Sequence, residues 1–239
     1  MNQTIKMPGD RPGMIAHRGL SGLERENTCA AFVAAGNHSY YGIETDIHRT
    51  KDGRYIVFHD DDLTRLLGDE RIVEEMTFSE LRALRLTDHD GREREDLMLP
   101  SLEEYIRICR KYNKESVLEI KNHFAPEDLD RVIGIIQAEG WLGRTIFISF
   151  DLPNCLCLRE KLPEQRIQYL VEVCDAQVLQ TLKEYRLDLD MDYQRCTRDI
   201  VDACHAMGRA VNVWTVNEPE DGRRLAGYGV DFITSNILE

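Results

Sequence analysis

The sequence predicts an α/β chain folded as an irregular (β/α)8 TIM barrel with a small insertion after the third strand. Three observations lead there. Short β-favouring runs alternate with helical patterns along the whole chain, with no Gly/Ser linker, low-complexity stretch or internal repeat between them. The length of 239 residues suits one large barrel. Helices fit between most of the strand candidates, and helix-capping patterns fall where the alternation requires them.

Taken in order, Met14–His17 is the first strand, and Thr28–Ala35 reads as a helix behind an Asn27 cap. Strands Gly42–His48 and Tyr55–Phe58 follow. The Lys51-Asp52-Gly53 link between them is too short for a helical crossover between parallel strands. With nine strand candidates in all, one is therefore a short extra piece, and the barrel is imperfect near its second and third strands. The roughly 55 residues between His59 and Ser116 exceed one βα connection. Residues Asp61–Leu99 are assigned to an insertion over one end of the barrel, within a single domain spanning 1–239. Thr77 with Glu80 and Ser101 with Glu104 have capping-box spacing. The remaining strands are Ser116–Ile120, Thr145–Ser149, Ile167–Val171, Leu187–Asp190, Ala210–Trp214 and Asp231–Thr234. Helices Asp128–Glu139 and Thr197–Met207 stop at Gly140 and Gly208, and Asn217, Pro219 and Glu220 open the last helix.

Composition narrows the function classes. A 42% apolar content supplies a core, and 31% charged residues is no disorder signature. The formal net charge of −13 repels nucleic acid and anionic bilayers, so neither is expected as a partner and no stable membrane association is expected. Seven cysteines without a CxxC framework argue for reduced thiols and a cytoplasmic location. Met1–Gly13 lacks the apolar core of a signal peptide, and no run approaches the ~20 apolar residues of a membrane helix.

The chemistry lies inside the strands. Side chains alternate between the two faces of a strand, so Ile43, Thr45 and Ile47 share one face and Glu44 and Asp46 the other. A barrel strand packs its apolar face on helices, which turns both carboxylates toward the axis. Val117–Lys121 repeats the inversion, with Leu118 and Ile120 outward and Glu119 and Lys121 inward. Barrel interiors favour branched apolar residues, and a lone buried carboxylate costs several kcal/mol. A hard divalent cation with oxygen ligands removes both the burial cost and the mutual repulsion of three carboxylates. The competing explanation is that Glu44 and Asp46 are solvated strand ends, which two strands with the same inversion make the weaker one.

His17 ends the first strand and His59 the third, and barrel catalytic groups sit at strand carboxyl ends. Beside a metal, the two could serve as general acid and general base, although an isolated strand-end histidine is more often a polar cap. Arg18 offers a fork of donors suited to phosphate, and Lys121 a point charge. Gly19 lets backbone or ligand approach closely. His38, His48, His89, His123 and His205 read as structural or surface residues.

The ordered set HRG (His17–Gly19), ENT (Glu26–Thr28), E-x-D (Glu44, Asp46), KDG (Lys51–Gly53) and HD (His59, Asp60) resembles the glycerophosphodiester phosphodiesterases. LPSLEE (Leu99–Glu104), LEIK (Leu118–Lys121), ISF (Ile148–Phe150), VNVWTVN (Val211–Asn217) and GVDFITSN (Gly229–Asn236) extend the resemblance over almost the whole chain. It implies hydrolysis of glycerophosphodiesters to sn-glycerol 3-phosphate and an alcohol, with one divalent cation, Mg²⁺ or Ca²⁺. It implies Glu44, Asp46 and Glu119 as metal ligands and His17 and His59 as the acid/base pair. Arg18 and Lys121 would hold the phosphate, and Trp214 would wall the glycerol site with Phe150 nearby. The implied partner is a small-molecule glycerophosphodiester such as glycerophosphocholine or glycerophosphoethanolamine.

The sequence departs from the family pattern at Arg25, Cys29, Arg65-Leu66-Leu67 and Ser235-Asn236-Ile237, none of them a proposed ligand. The resemblance leaves open whether water or the glycerol 2-hydroxyl attacks, and which histidine plays which part. Two rival functions remain: a lysophospholipase D-type activity and a catalytically silent ligand-binding barrel. Activity on glycerophosphocholine against lysophosphatidylcholine separates glycerophosphodiester hydrolysis from the first rival, and inactivity toward both with retained metal binding marks the second.

Overall fold

A computed structural model describes residues 3–7 and 12–239. In chain order the elements begin with β1 (Gly13–Ala16), α1 (Cys29–Gly36), β2 (Gly42–Arg49) and β3 (Tyr55–Val57). Then come β4 (Asp62–Leu63), α2 (Thr64–Leu67), β5 (Asp69–Ile72), α3 (Phe78–Ala83) and α4 (Leu102–Tyr112). Regular alternation follows: β6 (Glu115–Ile120), α5 (Pro126–Ala138), β7 (Thr145–Ser149), α6 (Leu152–Lys161), β8 (Arg166–Val171) and α7 (Ala176–Tyr185). The series ends with β9 (Asp188–Asp192), α8 (Arg198–Ala206), β10 (Val211–Trp214), α9 (Pro219–Tyr228) and β11 (Phe232–Ser235).

Eight parallel strands run in the order β1-β11-β10-β9-β8-β7-β6-β2, and the β1–β2 pairing closes the barrel. β3 is the extra ninth strand. It pairs antiparallel with β2, Val57 against Ile47 and Tyr55 against Arg49, so the Lys51–Gly53 link is a hairpin turn and not a crossover. Gly53 takes a positive φ of 74° there, which suits glycine.

Alternation along the strands sorts two cores. Met14 and Ala16 of β1, Ile43 and Ile47 of β2, and Leu118 and Ile120 of β6 join the large core that includes Phe32 of α1 and Tyr105 and Ile106 of α4. Ile15, Val117, Ile146, Ile148, Leu170 and Phe232 form a smaller cluster of the opposite parity. The polar residues Glu44, Asp46, Glu119, Gln168, Asp190, Asn212 and Thr234 share that inward parity and are all buried.

Residues 61–99 carry the β4–β5 hairpin, α2 and α3. Leu63, Val73, Phe78, Leu81, Leu86, Leu97 and Leu99 pack there against Ile56 and Phe58 as a separate apolar cluster. Both capping boxes are present, Thr77 with Glu80 at α3 and Ser101 with Glu104 at α4. Two expected caps are different. The α1 cap is Thr28, whose hydroxyl accepts from Ala31 N, because Asn27 is held at φ 54° and its side chain is spent inside the barrel. Asn217 does not cap α9. Its Oδ1 accepts from Asn236 N at 3.0 Å, and Glu218 stands at the cap without a side-chain bond.

The expectation for Met1–Gly13 falls partly on residues 1, 2 and 8–11, outside the described residues. Ile5 and Met7 donate to the carbonyls of Ile237 and Glu239. Among the described residues no helix is long and apolar enough to cross a membrane.

Candidate active site

The site is built from neighbouring strands. β2 and β6 lie in register, with Glu44 opposite Val117 and Asp46 opposite Glu119. The pleat therefore places Glu44, Asp46 and Glu119 on one wall, and one ligand atom from each lies within 4.8 Å of the others. All three are buried.

Three carboxylates packed this closely distort one another's titration. Burial, with the neighbouring Asp46, raises Glu44 well above the usual carboxylate range. Burial and Asp46 also push Glu119 up to about 8. Burial works in the same direction on Asp46, but Arg18, His59 and Lys121 outweigh it and hold that carboxyl below its ordinary value. Asp46 is the charge around which the site is arranged. Asn27 donates to its Oδ2 at 2.8 Å and accepts from the Thr45 hydroxyl at 2.7 Å. Asp46 Oδ1 is buried without a hydrogen-bond partner among the described residues.

These carboxylates can hold a divalent cation. The donors are hard oxygens, one buried oxygen is unsatisfied, and two ligands across one Ca²⁺ would stand about 5 Å apart at the usual 2.3–2.6 Å bond lengths.

His17 and His59 both reach this wall, by different routes. His17 follows β1 directly, and its Nδ1 lies 2.7 Å from Asn236 Oδ1, which also accepts from Ser21 Oγ. His59 does not follow a barrel strand. The β2–β3 hairpin turns the chain back down the barrel, so Phe58 N donates to Asp46 O and His59 arrives beside the carboxylates from above. Its Nδ1 lies 2.6 Å from Asp60 Oδ1. In each ring Nδ1 is engaged, which leaves Nε2 for the cavity both residues line. Burial, reinforced by Arg18, lowers His17 to about 4. Burial also lowers His59, against the pull of Asp46.

The cations are anchored by the same acids. Arg18 sits at φ 53°, its backbone N donates to Glu44 Oε2 at 2.7 Å, and its Nη1 donates to Glu26 at 2.8 Å. Arg65 of α2 bridges Glu26 and Asp60 with bonds of 2.6 to 2.8 Å, so the chain Arg18–Glu26–Arg65–Asp60–His59 is continuous. Lys121 Nζ lies 2.9 Å from Glu119 and 3.8 Å from Asp46. Gly19 allows close approach of the α1 backbone, since a Cβ there would meet Ala31 at 2.7 Å.

Two spaces border this wall and share His59, Glu119 and Phe150 in their linings. A cavity of about 120 Å³ is bounded by His17, Arg18, Glu44, His59 and Glu119 on one side and by Ile148, Leu170, Asp190, Trp214 and Thr234 on the other. A groove of about 540 Å³ runs outward past His59, Asp60, Asp61, Lys121 and Asn122 to Phe150 and Asp151. Phe150, which lines both spaces, meets Trp214 edge to face at 5.7 Å.

The glycerophosphoryl diester phosphodiesterase family model matches residues 17–238. The chain belongs to that family. A glycerophosphodiester phosphodiesterase of Caldanaerobacter subterraneus subsp. tengcongensis is 28% identical over 229 residues, covering 95% of this chain and 94% of the relative. The family enzyme of Thermotoga maritima shares the fold at a TM-score of 0.76 and 28% identity, covering 96% of each chain. That of Parabacteroides distasonis does so at 0.77 and 27%, covering 98% of this chain and 94% of the other.

Several residues that support the site stand outside the ligand, acid–base and phosphate positions to which the sequence points. Asn236 was a departure from the family pattern, and it is the partner of His17. Arg25, another departure, donates to the carbonyls of Thr87 and Asp88 and ties the loop after β1 to residues 61–99. His48, read as structural, bonds Glu74 at 3.0 Å and the His59 carbonyl at 3.3 Å, so it also holds His59 in place. Asp190 carried a readable signal. Asp188, Asp190 and Asp192 alternate with Leu187, Leu189 and Met191, the same inversion that exposed Glu44 and Asp46.

Proposed function

We propose that the chain hydrolyses glycerophosphodiesters such as glycerophosphocholine or glycerophosphoethanolamine to sn-glycerol 3-phosphate and an alcohol. One divalent cation, Mg²⁺ or Ca²⁺, held by Glu44, Asp46 and Glu119, assists the reaction. The observation that carries this reading is the convergence of those three buried carboxylates beside two histidines whose Nδ1 atoms are both tethered. When bound, such a cation polarises a phosphoryl oxygen and acidifies a nearby hydroxyl.

The chain's own groups divide the remaining work. Arg18 and Lys121 meet the charge that develops on the phosphoryl oxygens. The differing partners of the histidines give them different roles. A carboxylate on Nδ1 stabilises an imidazolium, so His59 with Asp60 suits the acid that protonates the leaving alkoxide. His17, whose Nδ1 partner is a neutral amide, suits the base that accepts the proton of the attacking water or 2-hydroxyl. The small cavity fits a polyol and the open groove the departing alcohol. Phe150 lines both, with Trp214 against it on the side of the small cavity.

The test is a substrate panel of glycerophosphocholine, glycerophosphoethanolamine and lysophosphatidylcholine, with Mg²⁺, Ca²⁺ or a chelator. Release of glycerol 3-phosphate that the chelator abolishes is expected. Preferential release of choline from lysophosphatidylcholine would favour the lysophospholipase D-type reading. Cation binding with no turnover of any substrate would favour a silent barrel.

A further inference from the structure

Two polar atoms of residues lining the small cavity, Asp190 Oδ1 and Trp214 Nε1, have no hydrogen-bond partner among the described residues and no place in the hydrolytic scheme. Asp190 of β9 is 1% exposed, and its Oδ1 makes no hydrogen bond among the described residues. Trp214 Nε1, on the neighbouring strand β10, is likewise buried and unbonded. Both residues line the same cavity as His17 and Glu44. An unsatisfied buried polar group is costly, and two around one cavity need an account.

The surroundings show what would satisfy them. Leu170 and Ile148 give the cavity apolar walls, and Thr234 is tied to Asn212 at 3.1 Å. What is left is one carboxyl oxygen and one indole N–H, which together fit a hydroxyl group, itself both donor and acceptor. We propose that Asp190, with Trp214 Nε1, reads the free hydroxyl groups of the glycerol moiety and so determines selectivity for a polyol phosphate over an alkyl phosphate. The inference rests on the phosphodiesterase reading of the same site and adds a specificity residue to it.

The electrostatics agree with this geometry. Burial pushes Asp190 up to about 8, against the bond from Asn212, so the carboxyl is mostly neutral near pH 7. A neutral carboxyl can donate or accept toward a hydroxyl, and it does not repel a phosphate bound in the same cavity.

Calorimetry tests this without requiring turnover. sn-Glycerol 3-phosphate and n-propyl phosphate carry the same phosphate and carbon count and differ in two hydroxyls. With Mg²⁺ or Ca²⁺ present, the intact protein should bind glycerol phosphate at least about tenfold more tightly, the scale of a hydrogen bond gained in a buried site. Asp190→Leu should reduce that preference to about threefold or less. Its affinity for n-propyl phosphate should stay unchanged. Asp190→Ala removes the same group without added bulk and should give the same result, so either folded variant decides. A preference that survives in a folded variant overturns the role of Asp190 alone. An intact protein that binds neither ligand overturns the phosphodiesterase reading together with it. Equal weakening of both ligands assigns Asp190 to architecture and also overturns the inference.

Discussion

At the scale of single residues, the contact to explain is Lys121 against Glu119. Their separation of 2.9 Å, with Asp46 at 3.8 Å, is what a neutralising ion pair would produce. It is equally the position from which an ammonium meets a phosphoryl oxygen once a cation balances the carboxylates. Lys121→Met separates the two. If the lysine only neutralises, the variant loses stability and turnover per folded molecule hardly changes. If it holds phosphate, folding is retained and turnover falls by about 10²-fold or more. We expect the second outcome, checked by thermal unfolding and turnover measured on one preparation. The histidines make a companion case. His17→Ala and His59→Ala should each lower turnover on glycerophosphocholine by about 10²-fold or more, the usual scale of acid–base catalysis. Near-normal rates in either variant would remove that residue from the reaction.

At the scale of elements, α4 supports the strands that carry the carboxylates. The single Tyr105 O–H is shared between Ile43 O at 2.7 Å and Val117 O at 3.2 Å, bracing β2 against β6 where the site is formed. The helix is started by Ser101, whose side chain accepts from Glu104 N while Glu104 returns a bond to Ser101 N at 2.8 Å. Ser101→Ala removes half of that box. It should cost about 1 kcal/mol and lower the unfolding midpoint by about 2–4 °C. Unchanged unfolding would show that the helix is held by packing alone. This capping box was legible in the sequence because Ser and Glu three residues apart are a local pattern. So was the inverted alternation of Glu44, Asp46 and Glu119, since a strand's period of two needs no tertiary information. The route of His59 was not legible. The short Lys51–Gly53 link excluded a crossover, but only the antiparallel register shows the hairpin setting His59 beside Asp46. Asn27 misled for a related reason. It has a good capping side chain next to a better-placed Thr28, and a partner, Asp46, that lies 19 residues away.

At the scale of the whole molecule, the barrel gathers acids on one wall and must balance them. Without a cation that balance falls to Arg18, Lys121 and the protonation of Glu44 and Glu119, both of which burial raises above the ordinary carboxylate range. A cation that binds only the folded wall therefore stabilises the entire chain by linkage. At a concentration about 100 times its Kd the gain is about 2.7 kcal/mol. For a domain of this size that corresponds to a rise of about 5–10 °C in the unfolding midpoint. The rise should grow with the logarithm of cation concentration and reverse on chelation. Glu119→Gln should suppress it, because the variant takes one charged ligand from the wall and leaves the fold's outer packing through Leu118 and Ile120 untouched. The measurement is a thermal melt over a series of Mg²⁺ and Ca²⁺ concentrations with no substrate present, so it tests the metal site independently of catalysis. Equal shifts in the intact protein and in Glu119→Gln would place the stabilising ion elsewhere on a chain of net charge −13, and the three carboxylates would lose their claim to it.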